Sequence, residues 1–333
     1  MSDDPPASFA SAADATLASA ARLRRGRRHD ALFRWSTQFF AWLVLLVLGA
    51  IIVVLFHGAW PAFHRFGVHF FTSAAWNPVT GHFGALSSIL GTLVTSLIAI
   101  VLAVPISFGV ALVVTEIAPR FMKRPISIAV ELLAGIPSII YGIWGLFIFA
   151  PWFADHIQPA LSASLGRIPW IGVLFRGPPI GLGWLVAGLI LAIMIIPFIA
   201  AVMRDVFEVV PVTLKESAYA MGSTRWEVLR RIVLPYTRAG VVGGIMLGLG
   251  RALGETMAVT FVVGNAHNLH LSLFMPGNTI ASAIANEFTE ADTLIHRSSL
   301  IALGLILFAI TFVVLAIAKW MLARMERAGG RVA

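Results

Sequence analysis

The chain has 333 residues, of which 59% are hydrophobic and 12% charged, with a mean hydropathy of +0.89 and a formal net charge of +8. Soluble domains carry about 25% charged residues, so most of this sequence is built for lipid. The absence of cysteine excludes disulfides, thiolate nucleophiles and cysteine metal sites. The basic excess flanks apolar runs, which argues for orientation in a membrane and against a nucleic-acid partner.

Residues 1–36 are rich in Ala and Ser and then in Arg (Arg22, Arg24, Arg25, Arg27, Arg28, Arg34), and read as a mobile cytoplasmic tail. Asp3, Asp4 and Asp14 argue against a transit peptide. The first apolar run begins near Phe39 and is long enough to span, so it is expected to be retained. Six apolar segments, 37–58, 87–114, 126–150, 181–203, 239–264 and 298–320, each reach the roughly 20 residues a membrane helix needs. None shows the strict alternation of a membrane strand. The expected fold is all-α and polytopic: a tail to 36, a first span and outer loop at 37–86, a core at 87–320 and a second tail at 321–333. Pro105, Pro137 and Pro197 fall inside spans, where a kink is tolerated if neighbours satisfy the backbone.

In the third span, Ile136-Pro137-Ser138 interrupts the helix and frees carbonyl groups. Ser138 and Tyr141 offer hydroxyls that can line a path, and Ser138 is equally suited to satisfying the kinked backbone. Between the fourth and fifth spans lies the hydrophilic segment KESAYAMGSTRWEVLRRIVLP at 215–235. Thr213 and Glu216 are spaced as a capping box, and Thr224 and Glu227 repeat the spacing. Gly222 lies between, where a helix end favours positive φ, and Pro235 is expected to break the pattern before the next run. Two short helices with a forced bend make a docking handle for a soluble partner.

The fifth span holds Arg251 and Glu255, four residues apart and so expected on one helix face. An Arg at mid-span costs about 2.5–3.5 kcal/mol on insertion scales, which usually marks a water-filled path. Its planar fork suits a tetrahedral oxyanion, while Glu255 is expected to orient it and moderate its pull. The competing reading is a structural ion pair. Gly244 and Gly248, like Gly250 and Gly254, have Gly-x-x-x-Gly spacing, expected to pack on a second subunit or the neighbouring third span, or equally by plain packing within the chain. The outer segments 59–86, 151–180 and 265–297 carry Trp60, Trp76, Trp152 and Trp170. His57, His64 and His69 lack helix-site spacing, so no metal site is expected.

Nineteen of the 24 Lys and Arg fall on one side if the N-terminus is cytoplasmic, and Arg65, Arg167, Arg176 and Arg297 on the other. This places both termini and the segment 204–238 in the cytoplasm.

Glu216, Ala218, Gly222, Ile232, Leu234 and Pro235 fit the EAA loop of ABC importer permeases, with Ser217 in place of one alanine. The strings GLGRALGETMAV at 247–258 with Gly264-Asn265, LLAGIPSIIYGIWGLF at 132–147, GTLVTSLIAIVLAVPISFGVAL at 91–112, and Trp76-Asn77-Pro78 resemble phosphate-specific permeases of the PstC type. The resemblance covers about 60 to 325. It implies the six-helix fold of type I ABC importer permeases, in the bacterial inner membrane. It also implies a PstA-like second permease, two PstB-like ATP-binding subunits at the EAA loop and a PstS-like periplasmic phosphate-binding protein. Arg251 and Glu255 stand where such families have residues implicated in phosphate passage. No Gly-x4-Gly-Lys-[Ser/Thr] loop occurs, so ATP would be used by the partner and no cofactor bound by this chain. Neither His-Glu-x-x-His nor Gly-x-Ser-x-Gly occurs, which argues against an intramembrane enzyme and for no catalytic residues. The same fold serving molybdate or sulfate, or the PstA-like role, are the alternatives.

Overall fold

The computed structural model describes the backbone of residues 7–329 and the side chains of 32–119 and 121–324. Six helices are long and apolar enough to cross a membrane, the first to sixth spans in chain order: Leu32–Phe66, Leu86–Ile117, Ser138–Arg167, Trp184–Glu208, Arg225–Leu253 and Leu294–Arg324. The chain divides between His57 and Gly58 into two compact units. The first unit is a single helical rod from Ala7 onward, whose apolar side chains from Leu32 are largely exposed, as lipid contact requires. The expected tail is thus helical from Ala7, and residues 1–6 lie outside the described residues. At the other end the sixth helix runs on to Gly329, with 330–333 outside the described residues.

The second unit is built around the fourth span. In its apolar window 61% is buried, against 28% or less in the other spans. Ile190, Leu191, Ile195, Ile199, Met203 and Phe207 are fully enclosed. A span apolar on every face belongs in the middle of a bundle. Glycines let neighbours approach it: a Cβ at Gly188 would lie 2.7 Å from Ile98 of the second span, and one at Gly248 would lie 2.5 Å from Ile199. Gly240 and Gly244 meet Val206 and Val202 in the same row. Gly240, Gly244 and Gly248 therefore pack on the fourth span of this chain, while Gly250 faces Leu315 of the sixth and Gly254 meets only its own helix. A second core, with Phe70, Phe83, Ile280, Leu300 and Leu303, closes the end beneath the two-residue strands Trp76–Asn77 and His82–Phe83.

Two spans differ from their expected limits. The run expected as one helix at 126–150 is two. An amphipathic helix Arg120–Ala134 ends at Gly135, and a new helix starts at Ser138 beyond Pro137, whose ring fits that position and whose missing N–H costs nothing there. The run at 239–264 is also two helices, Leu234–Leu253 and Met257–Val262, with Gly254-Glu255-Thr256 between. Pro235 does not end a helix. A π-turn at Leu229–Val233 precedes it, and the helix continues through it. The π-turns at Gly145–Phe149 and Phe153–Ile157 stand in the same relation to Pro151 and Pro159. A wide turn shifts the hydrogen-bond register by one residue, so the proline's absent donor and its ring are accommodated without a break.

Candidate functional site

The helices that begin after the two breaks meet. A Cβ at Gly142 would lie 2.7 Å from Phe261, 3.0 Å from Ala258 Cα and 3.1 Å from the Met257 carbonyl. Only a glycine lets the helix that begins at Ser138 lie against the helix Met257–Val262 at that distance. Tyr141, on the same turn, donates to the carbonyl of Leu133 at 3.1 Å, across the Pro137 break. Tyr141, not Ser138, thus satisfies a carbonyl beside the break. Ser138 opens the helix one turn earlier and is partly buried.

Arg251 lies in the last turn before the second break. The expected Arg251–Glu255 pair does not form. The helix ends at Gly254, and Glu255 falls in the break, where its Oε1 accepts the Ala258 N–H at 3.1 Å and caps the next helix. Among the described residues no carboxylate lies within ion-pair distance of Arg251. Its Nε is buried with no hydrogen-bond partner. Its guanidinium carbon stands 5.3 Å from the ring centroid of Phe198 on the fourth span, a residue that no sequence signal singled out.

The elbow forms largely as its local chemistry dictates. Gly222 has φ +86°, with no heavy atom within 4 Å of where a Cβ would sit. The Thr224–Glu227 capping box is present: Glu227 Oε2 accepts from the Thr224 N–H at 2.9 Å, and Glu227 N–H donates to the Thr224 hydroxyl at 3.4 Å. The Thr213–Glu216 box is absent. Pro211 takes the N-cap position and Val212 begins the helix, so Thr213 is already inside it. Of the six EAA-type positions, Ala218 is buried, Ile232 and Leu234 are half-buried, and Glu216, Gly222 and Pro235 are exposed or partly so. Met221 (80% exposed) and Trp226 (64%) project from the same bend. Beside Trp226 lies a cavity of about 390 Å³ lined also by Leu112, Glu116, Ile117, Arg225 and Leu229. Lys215 pairs with Glu116 at 2.5 Å, which ties the elbow to the end of the second span.

At the opposite end, Glu287 gathers three segments. It accepts from Trp76 Nε1 at 2.7 Å and pairs with His267 Nε2 at 2.6 Å and His296 Nε2 at 3.0 Å. His267 stacks on Trp76 and His296 on Phe83. Burial alone would raise the Glu287 pKa, but the bonds from His267, Trp76 and His296 outweigh it and hold the carboxyl below its usual range. The node walls a cavity of about 460 Å³. Its members are far apart in sequence and share no spacing, so no local signal marks them.

The family profile described as binding-protein-dependent transport system inner membrane component matches residues 109–327. A phosphate transport system permease protein PstC from Pasteurella multocida is 59% identical, over 91% of this chain and 94% of its own. The protein of the same name from Mesorhizobium japonicum is 56% identical, over 93% and 95%. Among solved structures, a bacterial ABC transporter involved in import of the acidic polysaccharide alginate aligns with TM-score 0.56 at 18% identity, over 87% of this chain and 98% of its own, a likeness of fold alone. The chain belongs to the family of binding-protein-dependent transport system inner membrane components and, within it, to the PstC phosphate-transport permeases.

Proposed function

We propose that this chain is a permease subunit of an ATP-driven phosphate importer, and that phosphate passes Arg251 beside the second helix break. The observation that carries the site is a half-buried arginine whose Nε is enclosed without a hydrogen-bond partner and which has no ion-pair partner among the described residues. A cation drawn partly out of water without a counter-charge carries a cost. An anion carrying one or two charges relieves that cost on arrival and can accept the hydrogen bonds that Arg251 leaves unmade. Release stays possible because phosphate meets a single cation and not a cage. Tyr141 borders the same place and keeps its own break closed. Glu255 holds the second break in shape. Ser138 opens the helix on the facing side.

Energy enters at the elbow. Its exposed Met221 and Trp226 and the adjoining cavity suit an ATP-binding partner, of the PstB-like kind in two copies. The Lys215–Glu116 pair relays elbow movement to the second span. A PstA-like second permease and a PstS-like phosphate-binding protein complete the assembly in the bacterial inner membrane. Both termini and the elbow are cytoplasmic, and ATP is used by the partner.

The test is radiolabelled phosphate uptake in cells lacking other phosphate importers, with the amount of assembled complex measured alongside. Arg251→Gln is expected to lose on the order of a hundredfold, the scale of removing one charge-stabilising donor from a dry site. Arg251→Lys is expected to keep partial uptake. Glu255→Gln, whose amide oxygen still accepts the Ala258 N–H, is expected to be mild. Uptake at the wild-type rate in Arg251→Gln overturns the site, and loss of the complex instead returns the residue to a structural role.

A further inference from the structure

The aromatic ring opposite Arg251 has a consequence for how that cation is kept available. This inference rests on the reading of Arg251 as the residue that meets phosphate. The fourth and fifth spans are locked in register by the row of Gly240, Gly244 and Gly248 against Val206, Val202 and Ile199. That register puts Phe198, the neighbour of Ile199, about level with Gly248, one turn before Arg251, and helical side chains lean back toward the preceding turn. The result is the 5.3 Å approach of the guanidinium to the ring. Pro197 lies next to Phe198 inside an otherwise regular helix. A buried arginine usually holds its pose through a carboxylate. Here the nearest acid in sequence, Glu255, is turned to the Ala258 N–H. The face of an aromatic ring attracts a cation without cancelling its charge.

We propose that Phe198 is the positioning residue for Arg251: it holds the guanidinium in place by a cation–π interaction while leaving the positive charge free for the incoming anion. A carboxylate at this position would hold the side chain equally well and quench it. Packing and positioning make opposite demands on the residue at 198. If Phe198 only fills space, a smaller apolar side chain should be tolerated better than a larger aromatic one. If it positions Arg251, the order reverses.

The experiment uses the complete importer, with initial phosphate uptake rates at saturating phosphate normalised to assembled complex. Phe198→Leu is expected to fall about tenfold, the scale of removing a cation–π interaction from a dry site. Phe198→Trp is expected to keep half or more of the rate. Phe198→Glu is expected to fall as far as Arg251→Gln while the complex still assembles. In the Arg251→Gln background, Phe198→Leu should cost nothing further, because the ring no longer has a cation to hold. Phe198→Leu at the wild-type rate, or Leu better tolerated than Trp, overturns the proposal. If Arg251→Gln itself transports normally, the phosphate-path reading fails first, and an unaffected Phe198→Leu beside a dead Arg251→Gln sinks only the positioning role.

Discussion

Arg251 and Glu287 are both largely enclosed charges, and the chain treats them in opposite ways. Glu287 accepts from an indole and pairs with two imidazoles. Arg251 has an aromatic face and a buried Nε with no partner. An enclosed polar atom without a hydrogen bond costs about 1–3 kcal/mol, a cost that the Nε of Arg251 carries and that the Glu287 carboxylate avoids. The difference is the one expected between a charge that holds the protein together and, as we propose for Arg251, one that meets an incoming anion. Glu287 ties the strand segment at Trp76, the loop at His267 and the start of the sixth span. No ligand is needed to explain it.

Substitution at the satisfied charge is the strongest way to test this contrast. Glu287→Ala leaves the Trp76 N–H and two imidazoles without their shared acceptor, which should cost roughly 2–4 kcal/mol of stability. Arg251→Gln removes an unpaired charge and should leave thermal stability of the purified complex unchanged or raised while transport is abolished. If the two variants lower the melting temperature equally, the distinction between holding and receiving charges collapses.

Acid sharpens the same contrast at smaller amplitude. The Glu287 pKa is lower in the fold than in the unfolded chain. Its contribution is therefore fully present above the ordinary glutamate value of about 4.3 and disappears as pH falls through the folded value. Hydrogen exchange at 76–83 and 264–279 should accelerate in that acid window in the wild type. In Glu287→Gln exchange should already be faster at neutral pH and show no such step. An unchanged step in Glu287→Gln would assign the acid response to other groups.

The spans, the elbow and Gly222 were legible because each follows from local composition or from one residue's backbone preference. Arg251 was legible as the lone cation deep in an apolar run. Its pairing with Glu255 was not, because i, i+4 spacing implies a shared face only while the helix continues. Gly254 and the Glu255 bond to the Ala258 N–H end it there. The glycine stripe announced close packing but not its partner, since any apolar helix satisfies the same pattern. The Glu287 node and Phe198 depend on meetings between distant segments, which no periodicity encodes. Pro235 misled for a related reason. A proline forbids one hydrogen bond, and a π-turn two residues earlier removes the need for it.

The capping boxes give the smallest and most local form of the comparison. Thr213–Glu216 and Thr224–Glu227 have the same spacing, but only the second has its threonine at the helix boundary. Pro211 sets the start of the first helix too early for Thr213 to cap it. Thr213 instead offers its carbonyl to the Ser217 hydroxyl at 2.8 Å. Glu227 is a satisfied carboxylate like Glu287, but in water, where removing the partner costs much less because solvent replaces it. Thr224→Ala should therefore raise hydrogen exchange at 225–228 only about fivefold, the scale of removing an N-cap. Thr213→Ala should leave exchange at 212–220 unchanged. A matching increase in Thr213→Ala would mean that spacing alone makes the cap. Equal protection in Thr224→Ala would mean that tertiary packing of the buried Val228 holds this turn, not its cap.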